Sequence, residues 1–143
     1  MASDARAAAI RLVQDYYAAF NAGDMPRFLA LLADDVLHDI NQGTRETGKA
    51  AFAAFMQRMN GAYRERLADI HVLADDAGTR AAAEFVVHGE YLRGEPGLPP
   101  AHGQRYVLPA GAFFALRDGQ VARVTNYYNV QDWIAQVEHG ARA

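Results

Sequence analysis

A chain of 143 residues that is 51% hydrophobic and 22% charged is long enough for one well-packed domain, expected over 1–143, and too short to build two. A formal charge of −3, with Lys and Arg scattered along the chain, argues against a nucleic-acid or anionic-membrane partner and for a neutral or mildly polar small ligand. The absence of cysteine removes disulfides, thiolate nucleophiles and thiolate metal sites, and it suits the reducing cytoplasm.

The Ala-rich opening, Ala2 to Ala9, includes Asp4 and Arg6 and has no apolar run fit for a signal peptide or a membrane span. It reads as the lead-in to a helix that Ser3 or Asp4 can cap. Ala9, Leu12, Val13, Tyr16, Tyr17 and Phe20 then recur at helical spacing and form one broad apolar stripe. The helix is expected to stop at Gly23. Asp24 caps a second helix with Pro26 in its first turn and Phe28, Leu29, Leu31 and Leu32 turned inward. Val36 to Ile40 reads as a short strand, and the turn-forming stretch from Asn41 to Gly48 as a loop or hairpin. A third helix starts at Lys49, carries Phe52, Phe55, Met56, Met59 and Tyr63 on one face, and ends near Asn60-Gly61.

Strand signals follow over Leu67 to Ala74, Arg80 to Leu92 and Gln104 to Leu116, separated by Asp75-Asp76-Ala77-Gly78 and by the Gly/Pro-rich run from Gly94 to Pro100. A hairpin turn at Asp118-Gly119 returns the chain along Val121 to Asn129, and Asp132 to Val137 reads as a short closing helix before a fraying tail. Pro109 and Gly111 inside the long strand predict a sharp bend or bulge there. Helices first and antiparallel strands after give an α+β class, with helices packed on one face of a curved, mostly antiparallel sheet.

The segment VQDYYAAFNAGDMPRFLALLADDVLHDINQG (residues 13–43) and the closing VARVTNYYNVQDW resemble the nuclear transport factor 2-like superfamily. That group contains ketosteroid isomerases and SnoaL-like polyketide cyclases, and the chain is most similar to its ketosteroid isomerase-related members. The resemblance implies a cone-shaped sheet enclosing a pocket, an α+β roll of the cystatin-like kind. It does not fix the chemistry, because such scaffolds host isomerases, cyclases, hydrolases and non-enzymes. Ketosteroid isomerases use a strand carboxylate as base, a helix Tyr and a protonated Asp on a later strand. Tyr16 matches the helix Tyr, whereas Ile40 stands at the base position and Ala112 at that of the Asp. Efficient steroid isomerisation by that route is therefore not expected.

Alternation puts Val36, His38 and Ile40 on one face of the first strand and Leu37, Asp39 and Asn41 on the other. The resemblance turns His38 into the pocket, where an imidazole titrating near neutrality can serve as general base; a bulge after Asp35 would give that place to Asp39. On the next long strand the resemblance turns Glu84 and His88 inward, while alternation alone equally allows Phe85, Val87 and Tyr91 to face the core. It also sends Asn126 and Tyr128 inward, to join Tyr16, Tyr106, Phe55, Met59 and Trp133 around a ring-bearing or carbonyl ligand. No paired-His spacing or phosphate loop is present, and Ser3 is the sole serine. Cofactor-independent acid/base chemistry on a small hydrophobic molecule is the expectation. The alternative is a non-catalytic binding or scaffold module. A homodimer through the open sheet face, which carries Val107 and Phe113, is expected in either case.

Overall fold

The computed structural model describes residues 2–41 and 43–142, with side chains for 4–41 and 43–140; the candidate cap Ser3 and the loop residue Gln42 lie outside the described side chains. Helix α1 (Ala2–Ala22) is followed by α2 (Met25–Ala30), β1 (Leu32–Asp39), β2 (Arg45–Thr47), α3 (Lys49–Ala62), β3 (Tyr63–Ala74), β4 (Arg80–Tyr91), β5 (Gln104–Arg117), β6 (Gln120–Tyr128) and α4 (Val130–Arg142). The six strands form one curved, open sheet in the order β2-β1-β6-β5-β4-β3, with β1 and β6 parallel and the other neighbours antiparallel.

The local signals act as their chemistry requires. α1 ends where the Gly23 and Asp24 amides bond back to the Phe20 and Ala19 carbonyls. Asp24 then caps α2, its carboxylate accepting from the Arg27 amide at 3.2 Å. The β5–β6 hairpin closes on Asp118 and Gly119, both at positive φ (54° and 73°), as a two-residue turn demands.

Four boundaries differ from the sequence reading. Leu32 opens β1 and does not extend α2, and Arg45–Thr47 pairs with β1 as a short edge strand. Tyr63 leaves the helical stripe to begin β3, four residues earlier than expected. The closing helix runs on to Arg142. No bulge toward β4 forms at Pro109 or Gly111, since β4 and β5 pair without a register shift from Arg80↔Ala115 to Tyr91↔Gln104. Proline is tolerated because pairing with β6 ends at Ala110↔Tyr128, leaving no ladder bond to lose on that side. Two residues earlier on the same edge, the Gln136 side chain of α4 replaces the missing strand, accepting from the Val107 amide and donating to its carbonyl, each at 2.9 Å.

The core lies between the helices and the inner sheet face, where Val13, Tyr16, Phe28, Val36, Phe52, Phe114 and Val124 are buried. The outer face carries Val107, Phe113 and Tyr127, each about half exposed, with Phe113 and Tyr127 in edge-to-face contact at 5.8 Å. Among the described residues no helix is long and apolar enough to cross a membrane.

Candidate functional site

The helices do not fill the cone. A cavity of about 780 Å³ remains inside it, lined from α1 by Tyr16, Tyr17 and Phe20, from β1 by His38 and from α3 by Phe52, Phe55, Met56 and Met59. The strands add Tyr63, Glu65, Phe85, Leu108, Asn126 and Tyr128, and α4 adds Trp133. A space of this size, with an aromatic wall and polar side chains such as Asn21, Arg58, Arg64, Glu95 and Asn126 around it, has the character of a small-molecule site.

His38 sits on the inner face of β1, 2% exposed, its ring stacked on Phe52 at 4.1 Å and met edge-on by Phe55 at 4.6 Å. Burial among apolar rings disfavours the imidazolium, lowering its pKa from the usual 6.5 to about 4 and outweighing the small opposite pull of Asp39. His38 is therefore neutral at physiological pH and does not titrate near neutrality, which corrects the expectation that led to its choice as base. Among the described residues its Nδ1 is buried without a hydrogen-bond partner, and so is the hydroxyl of Tyr17. Each such group costs about 1–3 kcal/mol while unpaired.

Tyr16 is buried against Phe28 (4.6 Å) and Phe114 (5.3 Å), and Phe28 in turn touches Phe52 (5.7 Å), so a chain of rings links Tyr16 to His38 along one wall. Desolvation raises the pKa of Tyr16 and, still more, of Tyr17, keeping both hydroxyls protonated as donors.

The carboxylate on the sheet wall of this cavity is Glu65, which sequence reasoning did not single out. On β3 it shares the inner face with Tyr63 and the buried Leu67, and it lies in register with Gly89 of β4, itself in register with Tyr106 of β5. Gly89 matters because a Cβ there would fall 2.2 Å from the Tyr106 ring. Without one, the ring lies across the middle strand and its hydroxyl donates to Glu65 at 2.5 Å. Glu65 lines the cavity and keeps an exposed side chain, although many protein atoms surround it. Desolvation raises its carboxyl pKa, and the Tyr106 hydrogen bond opposes that shift only in part. Trp133 packs edge-on against Tyr106 (5.9 Å), Tyr63 (6.0 Å) and Tyr91 (4.8 Å), fixing this end of the wall. Beside it, Tyr63 donates to the Glu95 carboxylate at 3.3 Å.

Of the residues expected from sequence, Tyr16, His38, Phe55, Met59, Asn126, Tyr128 and Trp133 line the cavity together. Four do not. Asp39 points to the outer face, where Arg45 (2.6 and 3.1 Å) and Thr125 (2.7 Å) donate to its carboxylate and hold its pKa near 2. The pairing irregularity between Leu32 and Leu37 leaves Val36 and His38 inward, so no bulge exchanges His38 for Asp39. Glu84 and His88 lie on the outer face of β4, because Ala83, Phe85, Val87 and Tyr91 are its buried set. Tyr106 lies behind the cavity wall and acts through Glu65. Ile40 lines the cavity and Ala112 is buried opposite Asn126, so neither of these positions brings a carboxylate to it.

The profile of the SnoaL-like domain matches residues 13–124. The chain belongs to the SnoaL-like family. Among solved structures it is similar to a protein of Pseudomonas putida provisionally named a polyketide cyclase, at 67% identity over 90% of this chain and 97% of that one, with a TM-score of 0.89. A Xanthomonas campestris protein with the same provisional name is 64% identical over 93% and 98% of the two chains, TM-score 0.90. A LEH-like epoxide hydrolase of Mycobacterium tuberculosis shares the fold at 22% identity, over 96% and 95%, TM-score 0.76. Comparison with curated proteins finds no match.

Proposed function

We propose that this SnoaL-like protein is a cofactor-independent acid/base enzyme that moves a proton on a small hydrophobic carbonyl compound, with Glu65 as its base. The observation that carries the reading is a carboxylate of raised pKa, held by Tyr106, on the sheet wall of a cavity with an aromatic lining. A carboxylate made more basic by desolvation is better matched to removing a proton from carbon. In the proposed step the Glu65 carboxylate takes a proton from the carbon next to the ligand carbonyl. Tyr16 or neutral His38 donates a hydrogen bond to the resulting enolate oxygen, and the carboxylic acid returns the proton to carbon. The same enolate can attack a second carbonyl, and the provisional cyclase names of the two bacterial relatives support that variant. Asn126, Tyr128, Phe55, Met59 and Trp133 serve as ligand-binding wall. The open cavity favours this reading over a pure scaffold, whose cone would be filled by its own side chains. A homodimer through the face bearing Val107, Phe113 and Tyr127, working in the cytoplasm, completes the proposal; those exposed apolar side chains and the cysteine-free sequence support it.

A test is possible before the natural substrate is identified. In heavy water, a panel of cyclic and bicyclic ketones is followed by proton NMR for loss of the hydrogens beside the carbonyl. Protein-dependent exchange of at least one ketone, reduced roughly 10²–10⁴-fold by Glu65→Gln, is expected. Exchange at the buffer rate for every ketone, or exchange indifferent to Glu65→Gln, would contradict the proposal.

A further inference from the structure

We propose that the cavity takes ring compounds bearing a carboxylate, which the Arg58 guanidinium holds at the cavity rim. Among the described residues the charged groups of the lining are Arg58, Arg64, Glu65 and Glu95. All but Arg58 already have a polar partner: Tyr106 donates to Glu65, Tyr63 donates to Glu95 at 3.3 Å, and Arg64 stands 3.8 Å from Glu90. The Arg58 carbonyl accepts from the Arg93 side chain at 3.2 Å, but among the described residues its own guanidinium has neither an ion pair nor a hydrogen bond. It lies over the Phe55 ring, 5.3 Å from the centre. A guanidinium over an aromatic face keeps its in-plane N–H donors for another group.

A carboxylate is the group that fits. Its two oxygens accept in parallel from the guanidinium fork, a pairing stronger than neutral hydrogen bonds. It brings one negative charge, whereas a phosphate would bring a second into a lining that already holds Glu65 and Glu95. The overall charge of −3 does not decide the matter, because distant surface charges are screened and a contact pair is not. Arg58 is exposed, so its charge sits at the solvent end of the cavity and the carboxylate stays at the rim, not in the interior. The wall next to it is apolar: Phe55 and Met59 both line the cavity, and Phe55 meets the His38 ring at 4.6 Å. The body of the molecule is therefore a flat apolar ring system. This assignment rests on the cavity being a ligand site, as proposed above, but not on Glu65 being a base.

Binding of 2-naphthoate, its neutral amide 2-naphthamide and 2-naphthyl phosphate, measured by calorimetry on the full chain, tests the assignment. Wild-type protein in low salt is expected to bind naphthoate about fivefold or more tighter than the amide, with the preference shrinking at about 0.5 M salt. Arg58→Met, which keeps an apolar stem beside Phe55 on the helix surface, is expected to bind naphthoate and amide alike. Arg58→Lys, which keeps the charge but not the fork, should retain part of the preference. Equal binding of acid and amide by wild type, or a preference that survives in Arg58→Met, would overturn the assignment, and tighter binding of the phosphate than of naphthoate would overturn the choice of a carboxylate. Absence of ketone exchange with the naphthoate preference present refutes the catalytic reading alone. Exchange that depends on Glu65, with acid and amide bound equally, refutes this one alone.

Discussion

His38 and Glu65 both pay for enclosure, but with opposite signs in their dependence on pH. His38 titrates lower in the folded protein, from 6.5 to about 4, so the unfolded chain binds its proton first. Its contribution is fully present above pH 6.5 and is lost as pH falls toward 4, by an amount of order 1–3 kcal/mol. Thermal melts between pH 7 and 4.5 should show a slope that His38→Leu flattens; an unchanged slope would mean that the ring is not buried as described. Asp39, held near 2, loses its contribution only below the usual carboxylate range, so the two windows do not overlap. Glu65 is raised, so the folded state keeps its proton longer and stability grows as pH falls through the folded pKa. Above that pKa the charge is a penalty. Glu65 keeps an exposed side chain, so solvent screens much of that penalty; Glu65→Gln should melt no lower than wild type at pH 8, and a lower melting point there would contradict it. The type of residue at each position was legible, but the environment that sets its pKa was not, because His38 owes its shift to rings from α3, remote in sequence.

Among the elements, β3 and β4 decide the site, and there the sequence is readable only in part. The buried alternation Ala81, Ala83, Phe85, Val87 along β4 was visible; what misplaced Glu84 and His88 was the family register laid over it. In β3 the failure was one of period. Tyr63 falls four residues after Met59 and extends the helical stripe, which hides the alternation Tyr63, Glu65, Leu67 and with it a carboxylate on an apolar face. Gly89 carried no signal at all, since its role is to be small between Glu65 and Tyr106. Gly89→Ala should displace the Tyr106 ring, cost about 1–3 kcal/mol of stability, and alter ketone exchange as Tyr106→Phe does. A crystal structure of Gly89→Ala with the Tyr106–Glu65 hydrogen bond intact would show that the glycine is not what admits the ring.

Across the whole molecule, the capped start of α2, the Asp118-Gly119 hairpin and the succession of helices and strands along the chain follow from local chemistry, and the SnoaL-like profile covers residues 13–124. The cavity does not follow from local chemistry, because its volume is what helices and sheet together fail to fill. The outer face is the remaining apolar surface, with Phe113 and Tyr127 in contact and Val107 farther along β5, each about half exposed. Sedimentation at micromolar concentration should give a dimer, and Phe113→Lys a monomer that keeps its fold. A monomeric wild type would remove the dimer without touching the site.

The proposed chemistry depends above all on Glu65 being the cavity's base, made so by enclosure and restrained by Tyr106. Carbon-detected NMR of the carboxyl groups, with the Glu65 signal assigned by its loss in Glu65→Gln, measures this. The expected midpoint lies above the ordinary 4.5 and moves higher still in Tyr106→Phe, where the opposing hydrogen bond is gone. A midpoint at or below 4.5, or one that Tyr106→Phe leaves in place, would contradict it.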